Sequence, residues 1–196
     1  MNMDLHGTDG REQLMDAQEI SVLISSIAGM ICKDNPNTAE NELILIGLQR
    51  GGIPLAERLA AEIENRTGRP CLKGTLDIAM YRDDIGMRKT LPRIFETDIP
   101  FDINGRTIVL VDDVLQSGRS IRAALDAITY YGRPAVVRLA VLLDRGMREF
   151  PIQGDYVGKT ISVSSDRRIR LNWSELSENK KDYVYSILNT KTGSLK

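Results

Sequence analysis

The chain has 196 residues, 42 % hydrophobic and 27 % charged, with 26 Lys plus Arg against 27 Asp plus Glu. That length supports a hydrophobic core without disulfides or a structural metal, and the balanced charge excludes a global field drawing the chain to nucleic acid. The single histidine, His6, excludes a Ser-His-Asp triad and a histidine-rich zinc site, leaving carboxylates, basic side chains, backbone amides and a hard cation to do chemistry.

Met1 to Gln13 is polar and lacks the apolar core of a signal peptide, and residues 1–14 are expected to form a mobile arm. Ile20, Leu23, Ile24, Ile27 and Ile31 recur at helical spacing. This segment carries three serines and is too short to span a bilayer, so no membrane is expected and the cytoplasm is the default address. Cys32 and Cys71 form no Cys-x-x-Cys pair and read as inert thiols. Glu42 to Leu48 is a nearly continuous apolar run, the signature of a strand buried on both faces. The turn Gln49-Arg50-Gly51-Gly52 follows, then a helix with Pro54 in its first turn, Leu55, Leu59 and Ile63 on its core face, and Gly68 at its end.

Gly74 to Tyr81 reads as a strand, and 82–100 as a long charged connection with room for a hairpin near Arg93-Ile94-Phe95. Thr107 to Val111 resumes a buried strand, Asp112 to Ser120 reads as a polar loop, and Ile121 to Tyr131 as a helix ending at Gly132. Ala135 to Leu143 is the next strand. Tyr156 to Val163 and Ile169 to Leu171 add late strands, and Trp173 onward suggests a short terminal helix with a loose tail at 189–196. Neither a repeat nor a linker divides the chain, so 1–196 reads as one α/β domain with a mostly parallel central sheet flanked by helices. Such sheets place ligand loops beyond the carboxyl ends of their strands, which sets 49–52 and 112–120 on one edge.

The segment Ile108 to Ser120 concentrates the chemistry. Its strand delivers Asp112 and Asp113, whose acceptor oxygens suit vicinal hydroxyls such as those of ribose. Val114, Leu115 and Gln116 lead on to Ser117, Gly118, Arg119 and Ser120 at a helix start, where backbone N–H groups and hydroxyls suit a phosphate. The plainer alternative is a helix cap followed by a Ser-Gly turn. In the earlier loop Arg50 can grip phosphate through paired bonds among small residues, although an ordinary turn would look similar.

The Ile108 to Ser120 segment resembles the phosphoribosyl pyrophosphate motif of the type I phosphoribosyltransferases. Over roughly residues 15–172 the chain is similar to the PyrR family, in Gly74 to Asp84, Gly132-Arg133-Pro134, Asp144 to Ile152 and Asp155 to Lys159. The resemblance implies the type I phosphoribosyltransferase fold and transfer of phosphoribosyl pyrophosphate to uracil, giving UMP and pyrophosphate with Mg²⁺. It further implies a homo-dimer or tetramer. Asp112 and Asp113 would hold the ribose hydroxyls and, through water, the metal; residues 112–120 would bind phosphoribosyl pyrophosphate, with Ser117 to Ser120 holding its 5-phosphate. Gln49 to Gly52, with Arg50 as the catalytic cation, would hold pyrophosphate. The 82–100 segment would act as a hood through Arg82, Arg88 and Lys89, against the alternative of a solvated charged loop. Lys159, Thr160 and Ile161 would read the base. Two alternatives stay open: a regulator that binds pyrimidine-leader RNA and senses UMP or UTP, and a transferase for another base. Gln116 stands where the family usually carries an aromatic residue, and Met147 and Gln153 where it carries histidine and arginine. RNA contacts are therefore reduced to Arg148 and Lys159, unless Arg167, Arg168 and Arg170 rebuild a basic patch elsewhere.

Overall fold

In a computed structural model, residues 10–35, 43–83 and 94–189 are described. The strands are β1 (Glu12–Met15), β2 (Ile44–Leu48), β3 (Leu72–Leu76), β4 (Thr107–Leu115), β5 (Val136–Asp144), β6 (Tyr156–Thr160), β7 (Arg167–Asn172) and β8 (Tyr183–Leu188). The helices are α1 (Ala17–Asp34), α2 (Gly52–Thr67) and α3 (Arg119–Ile128). A five-stranded parallel sheet has the order β3-β2-β4-β5-β6, and a separate antiparallel sheet the order β1-β8-β7.

α1 starts at Asp16, whose carboxylate accepts from the Glu19 amide while Glu19 accepts from the Asp16 amide, both at 2.9 Å. Ile20, Ile24, Ile27, Ala28 and Ile31 form its buried face. α2 ends at Gly68, whose φ of +69° closes the last turn. The continuous apolar runs are explained by two cores. Val109 and Val111 of β4 face the side holding α1, α2 and the small sheet, whereas Ile108 and Leu110 face the side holding α3. Both faces are dry, so nothing along the strand needs to be polar.

The chain departs from the sequence reading at several elements. Residues 12–14, expected to belong to a mobile arm, lie in β1, which pairs with β8; residues 1–9 lie outside those described. The strand expected to reach Tyr81 stops at Leu76, where Asp77 turns the chain by accepting from the Ala79 amide at 2.8 Å. β4 runs on through both aspartates to Leu115, because Val114 and Leu115 still pair with Leu143 and Asp144. α3 spans Arg119–Ile128, and Tyr130 and Tyr131 close turns beyond it.

The largest correction concerns the C-terminus. Instead of a helix after Trp173, the chain makes turns and enters β8, the middle strand of the small sheet. Trp173 is buried and locks that return to α2 through Arg58. The guanidinium lies 4.8 Å over the indole and bridges Glu175 and Asp182 at 2.8 Å. No helix among the described residues is long and apolar enough to cross a membrane.

Candidate active site

Parallel pairing brings three strand ends level. Val114 of β4 lies beside Leu143 of β5, which lies beside Lys159 of β6; Leu115, Asp144 and Thr160 form the next row. Ile161 continues it by donating its amide to the Asp144 carbonyl at 2.8 Å. The aspartates, the helix start and 159–161 therefore share one edge of the sheet.

On the other flank β2 pairs with β4 only as far as Val111 and then turns away at 49–52. That turn packs directly on the end of β4. A Cβ on Gly52 would lie 2.1 Å from the Val111 carbonyl oxygen, and one on Gly51 would lie 2.0 Å from Asp113 Oδ2. Both glycines are thus required by close approach. The Gln49–Arg50 peptide is cis. Gln49 N donates to the Leu76 carbonyl at 3.1 Å. Arg50 is exposed, its guanidinium 5.8 Å from the Phe95 ring centroid.

Asp112 Oδ1 accepts from the Asp113 amide at 3.0 Å, and Asp113 Oδ1 from the Val114 amide at 2.8 Å. Burial pushes the Asp112 carboxyl well above the usual carboxylate range, and repulsion from Asp113 adds to it. Burial also raises Asp113, opposed by the Val114 amide and, more weakly, by Arg170. Two half-buried carboxyls held side by side favour hydroxyl donors or a cation at their open side. Among the described residues no group of three His, Cys, Asp or Glu could enclose a metal. The donor set still fits Mg²⁺, which keeps several waters and is commonly held by one or two carboxylates plus substrate phosphates.

Gly118, at φ +86°, precedes α3 and brings the backbone against Phe150 and Ile152. The loop carbonyls are occupied from behind. Leu115 O accepts from Arg145 N, Gln116 O from Arg148 Nη1, and Ser117 O from the amides of Glu149 and Phe150, at 2.9 to 3.0 Å. On the other side the Arg119 amide donates to Ser117 Oγ at 3.3 Å and Ser120 Oγ accepts from Arg82, so the N–H groups and hydroxyls gather at the helix start, the polarity an anion requires. The Arg119 side chain instead turns to Glu149 and Asp83.

Of the segment expected to act as a hood, residues 82–83 and 94–100 are described, and Arg88 and Lys89 lie outside the described residues. Arg82 Nη1 donates to Ser120 Oγ at 2.7 Å, which sets it at the helix start. The return leg is anchored to β3. Phe95 N donates to Asp77 Oδ2 at 2.6 Å, Asp77 N to Thr97 Oγ1 at 3.0 Å, and Thr75 bridges Asp98. Within the segment expected to be a flexible hood, residues 95–98 are thus hydrogen-bonded to β3 and Asp77. Asp77 had no role in the sequence reading; its place after a strand that ends at Leu76 was the available signal.

Arg148 is engaged internally. Its guanidinium donates to Ile152 O, Gln116 O, Gly146 O and Asp144 Oδ2 at 2.6 to 3.2 Å. Lys159 and Thr160 are exposed.

A family model described as a phosphoribosyl transferase domain matches residues 10–170. The chain is 48 % identical over 183 residues to the Bifunctional protein PyrR of Roseiflexus sp. (strain RS-1), covering 93 % of this chain and 98 % of that protein. It is 47 % identical over 164 residues to the protein of that name from Chloroflexus aurantiacus, covering 84 % and 89 %. A hypoxanthine phosphoribosyltransferase from Staphylococcus aureus superposes with a TM-score of 0.67 at 19 % identity, over 95 % of this chain and 97 % of that one. The hypoxanthine phosphoribosyl transferase of Trypanosoma cruzi gives 0.68 at 17 %, over 95 % of each chain. At these identities the structural likeness speaks to the fold alone.

Proposed function

This chain belongs to the PyrR family of phosphoribosyltransferases, and on that footing we propose that it converts uracil and phosphoribosyl pyrophosphate to UMP and pyrophosphate. The observation that carries the reading is the level placement of the Asp112–Asp113 pair, the helix start at 117–120 and the 159–161 strand end on one sheet edge.

In the reaction the C1′–oxygen bond to pyrophosphate breaks, the C1′–N1 bond to uracil forms, and N1 gives up its proton. Positive charge grows on the sugar and negative charge on the leaving group, so positioning and fixed electrostatics supply most of the acceleration. Asp112 and Asp113 hold the ribose hydroxyls and set negative charge beside the sugar. The amides and hydroxyls of 117–120 hold the 5-phosphate, joined by Arg82, whose guanidinium already reaches Ser120. Arg50 steadies the departing pyrophosphate from the 49–52 turn, and Lys159, Thr160 and Ile161 meet the base. Mg²⁺ held by the aspartates through water would neutralise pyrophosphate charge.

We assign no pyrimidine-leader RNA contact to Arg148, because its guanidinium is committed to internal partners. Incubation with labelled phosphoribosyl pyrophosphate, Mg²⁺ and a panel of bases tests the reading. UMP is expected with uracil, and exclusive use of a purine or orotate would overturn it.

A further inference from the structure

Strand register carries one residue of the β3 end to the level of the 49–52 turn. Leu48 of β2 pairs with Leu76 of β3, and Gln49 N donates to the Leu76 carbonyl at 3.1 Å, so Gln49 and Asp77 open the next row. Beyond it the two chains part, one into the turn that bears Arg50 and the other into a short helical turn at Ala79–Tyr81. Asp77 spends both carboxylate oxygens on backbone. Oδ1 accepts from the Ala79 amide at 2.8 Å, and Oδ2 from the Phe95 amide at 2.6 Å. The residues after Phe95 are held as well. Thr97 Oγ1 accepts from the Asp77 amide at 3.0 Å, the Gln49 side chain donates to the Glu96 carbonyl at 3.4 Å, and Thr75 and Asp98 exchange backbone bonds at 2.8 and 2.9 Å. Gly74 lets this leg close in, since a Cβ there would lie 2.9 Å from the Asp98 carbonyl oxygen.

The residue fixed by Asp77 is aromatic, and it meets a cation. Phe95 is half-buried, and the Arg50 guanidinium lies over its ring, 5.8 Å from the centroid. Among the described residues no hydrogen bond or ion pair occupies the N–H groups of Arg50. Arginine binds phosphate through those N–H groups, two at a time. A carboxylate in the place of Phe95 would take them, whereas a ring attracts the cation and accepts none of them as a carboxylate would. An exposed arginine also gives up side-chain freedom when it binds, and a ring that narrows its range beforehand reduces that loss. Asp77 grips the backbone of residue 95 and is indifferent to its side chain, so the phenylalanine is explained by what its ring touches.

We propose that Phe95 and Asp77 are positioning residues for the pyrophosphate end of the substrate. Phe95 steadies the Arg50 guanidinium with its N–H groups open to phosphate, and Asp77 sets Phe95 in place. The inference rests on the pyrophosphate role given to Arg50 above.

Calorimetric titration of the full chain with magnesium pyrophosphate and, separately, with UMP tests this without requiring turnover. Phe95→Leu keeps an apolar side chain and loses the ring. It should weaken pyrophosphate binding about three- to fivefold and leave UMP binding unchanged. Phe95→Tyr should keep the wild-type affinity. Asp77→Asn leaves one acceptor oxygen for two amides and should show the same selective loss, with little added by Phe95→Leu in the same chain. In an Arg50→Gln background, Phe95→Leu should have no effect on pyrophosphate binding. Uracil transfer is measured in parallel. Pyrophosphate is the leaving group whatever base is used, so transfer to another base would remove the uracil reading and keep this one. The proposal is overturned by equal losses of UMP and pyrophosphate binding, by unchanged pyrophosphate affinity in Phe95→Leu, or by a Phe95→Leu effect that persists without Arg50. Absence of pyrophosphate binding to the unaltered chain would overturn it too.

Discussion

Replacing Gly51 with alanine tests whether the 49–52 turn and the aspartate pair are one device. The new methyl would lie 2.0 Å from Asp113 Oδ2 and 2.4 Å from its Cγ. The carboxylate is the softer neighbour and must swing away, giving up the 2.8 Å bond from the Val114 amide. Overpacking of this kind costs about 1–3 kcal/mol of stability. A displacement of about 1 Å in a positioning group lowers turnover on the order of 100-fold. In an Asp113→Ala background the methyl has room, so the stability cost of Gly51→Ala should largely vanish, a coupling of about 0.5–3 kcal/mol. Gly105→Ala is the contrast. Its φ of +68° strains alanine by roughly 1–2 kcal/mol, yet nothing lies within 4 Å and transfer should be unaffected. The stability assay is urea unfolding followed by Trp173, the single tryptophan, beside initial rates of UMP formation. Wild-type turnover in Gly51→Ala, or an equal stability cost with and without the Asp113 carboxylate, would refute the reasoning.

Asp112→Asn should lose about 2–4 kcal/mol of transition-state stabilisation, read as kcat/KM. It should also flatten the pH dependence of ligand-free stability. The folded carboxyl is raised above its unfolded value, so the folded state holds the proton longer, and wild-type stability falls as pH rises from the ordinary carboxylate range through the raised one; identical pH profiles would contradict this. Arg82→Gln should raise the KM for phosphoribosyl pyrophosphate about tenfold and weaken UMP binding similarly, as loss of a charge-assisted phosphate bond does, whereas a pyrophosphate-only role would leave UMP binding unchanged. Arg58→Ala should cost about 2 kcal/mol, discounted from a fully buried pair because Glu175 is half-exposed, and shift the Trp173 emission; an unaltered melt would deny the clamp.

The sequence by itself determined the parallel sheet, because a strand covered on both faces must be apolar throughout, and Ile44 to Leu48 and Thr107 to Val111 could be little else. It also determined the Asp112 to Ser120 constellation, since a strand end, two carboxylates and a glycine-opened helix start are all local in the chain. Only the tertiary structure decided the second sheet. β1 is four residues long, and β8 carries Ser186 on its buried face, so neither shows the alternation that marks a strand until each finds its partner. Tertiary packing likewise decided the duties of charged side chains. Arg148 and Arg119 lie in motifs that suggest external ligands, but carbonyls and carboxylates from other elements reach them first. Gly51 and Gly52 read as phosphate-loop glycines, yet they are needed because β4 passes within a methyl's width. Pairing across long sequence separations carries no local signature, and so the partner of a charge or an edge strand becomes visible only once the chain has closed on itself.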